Sequence, residues 1–293
     1  MTRDALLEHA ASGASGICRI WTISRADGVV LGFTDHDRDL MLDGVLCRAG
    51  SGMSAVALQQ SSGLSVDNTE AVGLLSDGAV TEAELSAGRY DGAEVRIWSV
   101  AWADPSVRRE LFRGSLGEVV RRGSEFRVEL RGQAEALNQT MGHAYTRQCS
   151  AVLGDARCRF DLGQPGYADE RVVEIIEEGR VLLFDWAHAF DDRWFEDGRL
   201  DVLTGAAAGL SGMIRADRQL GGVRRVELWQ AIRAPVETGD RIRLTAGCDK
   251  RAGTCRLKFG NLLNFRGFPF LPGEDWLTAY PRRGGADTTS SAL

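Results

Sequence analysis

The sequence predicts a mainly β protein with few short helices, and three observations carry that reading. Apolar and polar residues alternate over short runs, as in ICRIWTISR (17–25) and EFRVELR (125–131). Glycine numbers 35 residues, against roughly 20 expected from ordinary usage. These glycines are spread along the chain, often in turn pairs such as Asp43-Gly44, rather than gathered in a linker.

In chain order, MTRDALLEHAASGASG reads as a short N-terminal helix, with Thr2 as cap and Leu6, Leu7 and Ala10 on one face. Strands are expected over 17–25 and 29–37, around the turn at Ala26-Asp27-Gly28, then over 39–42 and 45–49 about Asp43-Gly44. VTEAELSAG (80–88) has a threonine near its start and a glycine just past its end, the punctuation of one short helix. DGAEVRIWSVAW (91–102) returns to strand character, and LFRGSLGEVV (111–120) with EFRVELR forms a hairpin. QAEALNQTMG (133–142) is predicted to be a helix closing this half, with a domain boundary near 145. The second half restarts with strands at 172–178 and 181–187, three more over 199–230, and another at 238–248. The division expected is therefore 1–145, 146–283, and a polar disordered tail over 284–293. No repeat of fixed period is present, which argues against solenoids and propellers.

Composition excludes several function classes. A hydrophobic share of 44% and a charged share of 26% are those of a folded globular chain. The net charge of −6 does not suit a nucleic-acid binder, which concentrates cations to neutralise phosphates. An acidic surface suits a wall past which DNA slides without sticking, although ordinary solubility explains the same balance. No apolar run approaches the roughly 20 residues of a membrane span, so no membrane anchor is expected. Asp4, Glu8 and His9 stand where a signal peptide would carry its apolar core, so folding in the cytoplasm is expected. In a reducing compartment, six cysteines are thiols or metal ligands rather than disulfides.

Four of those cysteines occur as two pairs. Cys149 and Cys158 are separated by eight residues, Cys248 and Cys255 by six, and 89 residues lie between the pairs. Each pair spans a loop-like segment able to present two thiolates to one centre, which would be zinc or an iron–sulfur cluster. The plain alternative is four unrelated buried thiols. Structural zinc commonly uses spacers of two to four residues, so spacers of eight and six favour the larger cluster. Arg147, Arg157, Arg159, Lys250, Arg251, Arg256 and Lys258 flank the pairs and would offset a cluster's negative charge, with Asp155 and Asp249 diluting that excess.

The pair spacings, together with CRLKFGNLLNFRGFPFLPGEDWL (255–277) and GFTDHDRDL (32–40), resemble a family of phage-like tail hub or tail tip proteins. That family occurs in tailed phages, prophages and gene transfer agents. The resemblance covers roughly 17–280 and implies a barrel-like tail-hub domain followed by a smaller β domain organised around a metal cluster with four cysteine ligands. It implies a 4Fe-4S cluster on Cys149, Cys158, Cys248 and Cys255, similar to the iron–sulfur domain of the lambda-like tail tip protein. It further implies a structural, non-enzymatic homotrimer in the particle's tail tip. Such a ring would join the distal tail protein to the central tip or fibre protein, and DNA would pass through it without specific binding. The competing classes are a zinc-binding interaction module and an iron–sulfur redox enzyme.

Other residues point to packing. Cys18 and Cys47 lie on predicted strands and read as buried structural thiols. In Thr34-Asp35-His36-Asp37, strand alternation would put His36 opposite the two carboxylates, which favours a structural turn or subunit contact over an active centre. His9, His143 and His188 show no partner spacing. Trp21, Trp98, Trp102, Trp186, Trp194, Trp229 and Trp276 are expected mostly as core anchors, some at subunit interfaces. The strap NFRGFPFLPGEDW (264–276) would either cap the cluster or pack as an ordinary C-terminal segment. No G-x-S-x-G elbow, phosphate loop or H-E-x-x-H helix is present.

Overall fold

A computed structural model describes residues 11, 16–50, 54–55, 68–74, 80–122, 125–133, 142–185 and 190–272. The N-terminal helix expected over 2–10, most of the helix expected over 133–142, Trp186, His188, Trp276 and the tail 284–293 lie outside the described residues.

The chain is mainly β, in two sheets with very few short helices. The first sheet contains β1 (Ile17–Ser24), β2 (Val30–Thr34), β3 (Leu40–Leu42), β4 (Val45–Arg48), β5 (Ser54–Ala55), β6 (Asn68–Leu74), β7 (Glu94–Ala101), β8 (Asp104–Arg122) and β9 (Glu125–Gly132). Their spatial order is β3-β4-β2-β1-β7-β8-β9-β6-β5. Asp43 and Gly44 both take positive φ, at 50° and 81°, as the tight β3–β4 hairpin requires. The sheet curls into a half-barrel, its edge β3 returning against β8, where Arg108 pairs with Asp43 at 2.8 Å. Trp21, Ile23, Phe33, Val95, Ile97, Phe112 and Leu130 fill its main core, while Cys18, Ile20, Leu42, Cys47 and Val100 form a second one. Cys18 and Cys47 are thus buried packing residues, and burial pushes the Cys47 thiol pKa up to about 11.

Helix α1 (Glu82–Ser86) starts at the Thr81 N-cap, whose hydroxyl accepts from Glu84 N while Glu84 reaches back to Thr81 N. Glu84 also accepts from the buried Arg25 at 2.7 Å, and Arg25 pairs with Asp27 and covers the Tyr90 ring.

The second sheet contains β10 (Ala168–Val172), β11 (Ile175–Glu177), β12 (Val181–Asp185), β13 (Arg199–Val202), β14 (Ser211–Leu220), β15 (Val223–Leu228) and β16 (Arg241–Thr245). Its order is β10-β16-β13-β14-β15-β12-β11, so its two edges are consecutive stretches of chain. Phe184, Leu200, Ile214, Val226, Leu228, Ile242 and Leu244 fill its interior. An ion pair is buried among them. Arg224 donates from Nε and Nη2 to the two oxygens of Asp217 at 2.7 and 2.6 Å, and Asp217 also accepts from Phe195 N at 2.8 Å. Polar ties join the sheets: Arg89 donates to Ala206 O and Ala208 O, and Arg233 pairs with Asp91 at 2.5 Å.

Several expectations shift. The strand expected to run from 29 to 37 ends at Thr34, and residues 35–38 bend. There, Asp35 accepts from Arg19 N, His36 contacts Asp37 at 3.0 Å, and the His36 ring lies against Trp102. Strands β5, β6 and most of β10 were not anticipated. Trp21 is a core anchor, whereas Trp102 and Trp229 are exposed.

Candidate metal centre

Residues 142–167 and 247–272 flank the second sheet and contain little regular structure: helix α2 (Ala252–Leu257) and one 3-10 turn (Leu262–Asn264). Backbone hydrogen bonds lace the two segments together. Cys149 N donates to Lys250 O at 2.9 Å, Ser150 N to Arg266 O at 3.2 Å, and Phe268 N to Thr146 O at 2.9 Å. The strands of chain lie so close that a Cβ on Gly267 would meet Gln148 O at 2.6 Å. Glycine is required there because no side chain fits.

Each cysteine has its own support. Asp155 orients Cys158 by accepting from Val152 N, Arg157 N and Cys158 N at 2.9, 2.9 and 2.6 Å. These bonds, that to Cys158 N foremost, hold the Asp155 carboxyl below its usual range. Cys248 lies three residues past the end of β16, after Gly247, whose missing side chain lets Glu196 O approach. Cys255 sits on α2, whose first turn is tied by Asp249, accepting from Arg251 N and Thr254 Oγ1. Behind them Phe160, Ala246 and Phe259 form a small core against Tyr167 and Trp194. Lys258 fastens that core to the sheet, donating to Trp194 O at 2.5 Å and Gly247 O at 2.8 Å.

All four predicted cysteines line one cavity, with Ala151, Leu153, Phe259, Asn261, Asn264 and Phe265 among its other walls. The space open to a water centre is about 20 Å³, room for about one water. Metal–thiolate bonds of about 2.3 Å are shorter than van der Waals contacts, so a centre bonded to the sulfurs needs less open space than a free molecule of its size. Two backbone or amide donors point at sulfur: Arg266 N at 3.3 Å from Cys149 Sγ and Asn261 Nδ2 at 3.5 Å from Cys158 Sγ. Burial, and to a lesser extent neighbouring Cys248, Cys149 and Cys158, pushes the Cys255 thiol pKa up to about 11. Burial also raises that of Cys248. Four thiolates could share this pocket only with a cationic centre among them.

Among the described residues, no three His, Cys, Asp or Glu side chains close up as one metal ion requires. Tetrahedral zinc would hold its sulfurs about 3.8 Å apart, given bonds of about 2.3 Å. The four cysteines share a cavity, and four thiolates are a donor set that zinc and iron–sulfur clusters both take.

The expected cations are unequal. Lys250 and Arg251 line the cavity, and Lys250 donates to Ala151 O at 2.6 Å; Arg159 and Arg256 face solvent. Of the strap, Asn264 and Phe265 form part of the wall, and residues 273–276 lie outside the described residues. Sequence reasoning missed Asn261, and counted Asp155 only as a diluting charge. An Asp three residues before a ligand was a readable turn signal.

Comparison with known proteins places the chain. The family described as "Baseplate hub protein, N-terminal attachment domain" matches residues 3–161, more than half of the chain and including the first cysteine pair. A second, "Phage conserved hypothetical protein BR0599", matches 193–275 and includes the second pair. No curated protein matches. Among solved structures, a chain of "Virion of native gene transfer agent (GTA) particle" is 55% identical with a TM-score of 0.90, over 98% of this chain and 99% of that one. This chain belongs to the baseplate hub protein family, a structural and non-enzymatic class of phage-type particle component.

Proposed function

We propose that the protein is a hub subunit in the tail tip of a phage-like gene transfer particle, held in shape by a 4Fe-4S cluster on Cys149, Cys158, Cys248 and Cys255. Subunits form a ring, a trimer by resemblance, between the distal tail protein and the central tip protein, and line the channel through which DNA leaves. The observation that supports the cluster best is the gathering of both cysteine pairs, 89 residues apart in the chain, on one cavity. The likeness to a gene transfer agent virion chain supports the particle.

The cluster's part is structural. When bound, it supplies four metal–thiolate bonds that cross-link segments otherwise joined by hydrogen bonds and a small aromatic core. The chain's own residues aim the sulfurs, through Asp155 and α2, and donate to them, through Arg266 N and Asn261. Anaerobic analysis of purified protein should find about four irons and four sulfides per chain by this reading. Stoichiometric zinc in a colourless sample would favour the zinc-module alternative instead. Cys158→Ser should give metal-poor chain that stays out of particles, and normal particles from that variant would sink the structural cluster.

A further inference from the structure

Asn261 stands where the two cysteine-bearing segments meet, and it holds a ligand of each pair. Its backbone N donates to Cys255 O at 3.0 Å, while its side-chain Nδ2 donates to Cys158 O at 2.8 Å and lies 3.5 Å from Cys158 Sγ. The amide is fixed in orientation from both ends. Cys158 O can only accept, so it requires the amino group on its side, and Asn264 Nδ2 donates to Asn261 Oδ1 at 2.7 Å on the other. The 3-10 turn folds the second amide back onto the first, with Asn264 N donating to Asn261 O at 3.0 Å. Both asparagines line the cavity. Placement of Cys158 does not by itself call for this relay, because Asp155 already accepts from Cys158 N at 2.6 Å. What the relay adds is an N–H aimed at the sulfur.

We infer that Asn261 is a positioning residue that sets the electron affinity of the metal centre, by donating an N–H to the Cys158 sulfur. The inference rests on the cluster reading of this cavity and gives one of its walls a role. A thiolate that accepts a hydrogen bond passes less negative charge to its iron. The reduced state carries one more negative charge than the oxidised state, so it gains more from the donor, and the centre becomes easier to reduce. Arg266 N acts in the same sense on Cys149, at 3.3 Å, but as a backbone group it survives any side-chain change. Asn261 is thus the donor through which a change of sequence tunes the centre. Asn264 works through it, by keeping the amino group turned to sulfur.

The test uses the full chain, purified anaerobically with its iron, and follows the midpoint potential of the one-electron couple in a spectroelectrochemical titration with dithionite. Asn261→Asp keeps an acceptor for Asn264 but sets a carboxylate oxygen against the Cys158 sulfur. Its potential should fall by about 59 mV or more, a tenfold change in the one-electron equilibrium. Asn264→Leu leaves Asn261 in place and removes only what orients it, and its potential should fall by less. Iron and sulfide contents equal to wild type show that a variant is folded and loaded. A loaded Asn261→Asp chain whose potential matches or exceeds that of wild type overturns the inference. If Asn261→Asp does not keep its iron, Asn264→Leu decides. A more negative potential there upholds the inference, whereas an unchanged potential, or loss of iron in that variant too, overturns it and leaves the two amides a purely structural part. Metal analysis of the wild type keeps the claims apart: zinc, or no iron, refutes the cluster reading, whereas an iron-loaded wild type with insensitive variants refutes only the role of Asn261.

Discussion

In the second sheet, Leu200, Ile214, Val226, Leu228, Ile242 and Leu244 are all essentially inaccessible, and each such burial contributes about 1.5–3 kcal/mol. In residues 142–167 and 247–272, by contrast, the buried apolar side chains are Ala151, Phe160, Cys255 and Phe259. One region is held by its interior. The other is held by backbone bonds between neighbouring segments, by Asp155 and Lys258, and, on the proposed reading, by a cluster that joins the four sulfurs. The loop carrying Trp194 and Phe195 connects them: Phe195 is bonded to Asp217 within the sheet, and Trp194 O accepts from Lys258 beside the cysteines. A region with so small a core is expected to be ordered by ligation, and a sheet with so large a one is expected to do without it.

Removing the proposed metal is the strongest way to break that contrast. After anaerobic chelation, hydrogen exchange and limited proteolysis should show 142–167 and 247–272 opening while the amides of β13 to β16 stay protected. Equal loss of protection in both regions would mean that the sheet, too, depends on the centre. Next in size is the buried pair. Asp217→Ala leaves Arg224 charged and buried, and should destabilise the chain by about 3–5 kcal/mol in urea unfolding. A loss below about 1 kcal/mol would show that the sheet interior relaxes to admit water.

The smallest effect lies in the first sheet. The Arg25 guanidinium, hydrogen-bonded to both, holds the Asp27 and Glu84 carboxyls below their usual range. A carboxyl depressed on folding stabilises above its unfolded value, and that contribution fades as pH falls through the folded value. Glu84→Gln should therefore cost under about 1 kcal/mol at neutral pH, and the gap from wild type should shrink in acid. An unchanged gap down to the acid limit would assign the loss to the helix cap alone.

The extent to which the sequence could be read follows from how local each signal is. Asp43-Gly44, the Thr81 cap and the alternating β7 and β15 are short-range devices, and each appears where expected. Strands β5 and β6 lack that alternation, and β6 exists through pairing with β9, distant in sequence. Arg224 was legible but passed over, since alternation in β15 puts it inward with Val226 and Leu228. Asp217 was not legible, because a bulge between Ile214 and Ala216 changes which residues of β14 face the core.

By itself, the sequence determined the mainly β architecture and the four cysteines worth watching, because alternation, turn dipeptides and paired spacing are written within a few residues of one another. Only the tertiary structure decided that residues 149, 158, 248 and 255 line one cavity, that Asp155 and Asn261 serve Cys158 there, and that Leu263 and Phe270 face outward. Those are outcomes of packing between segments far apart in the chain, and no local pattern encodes which loops will meet.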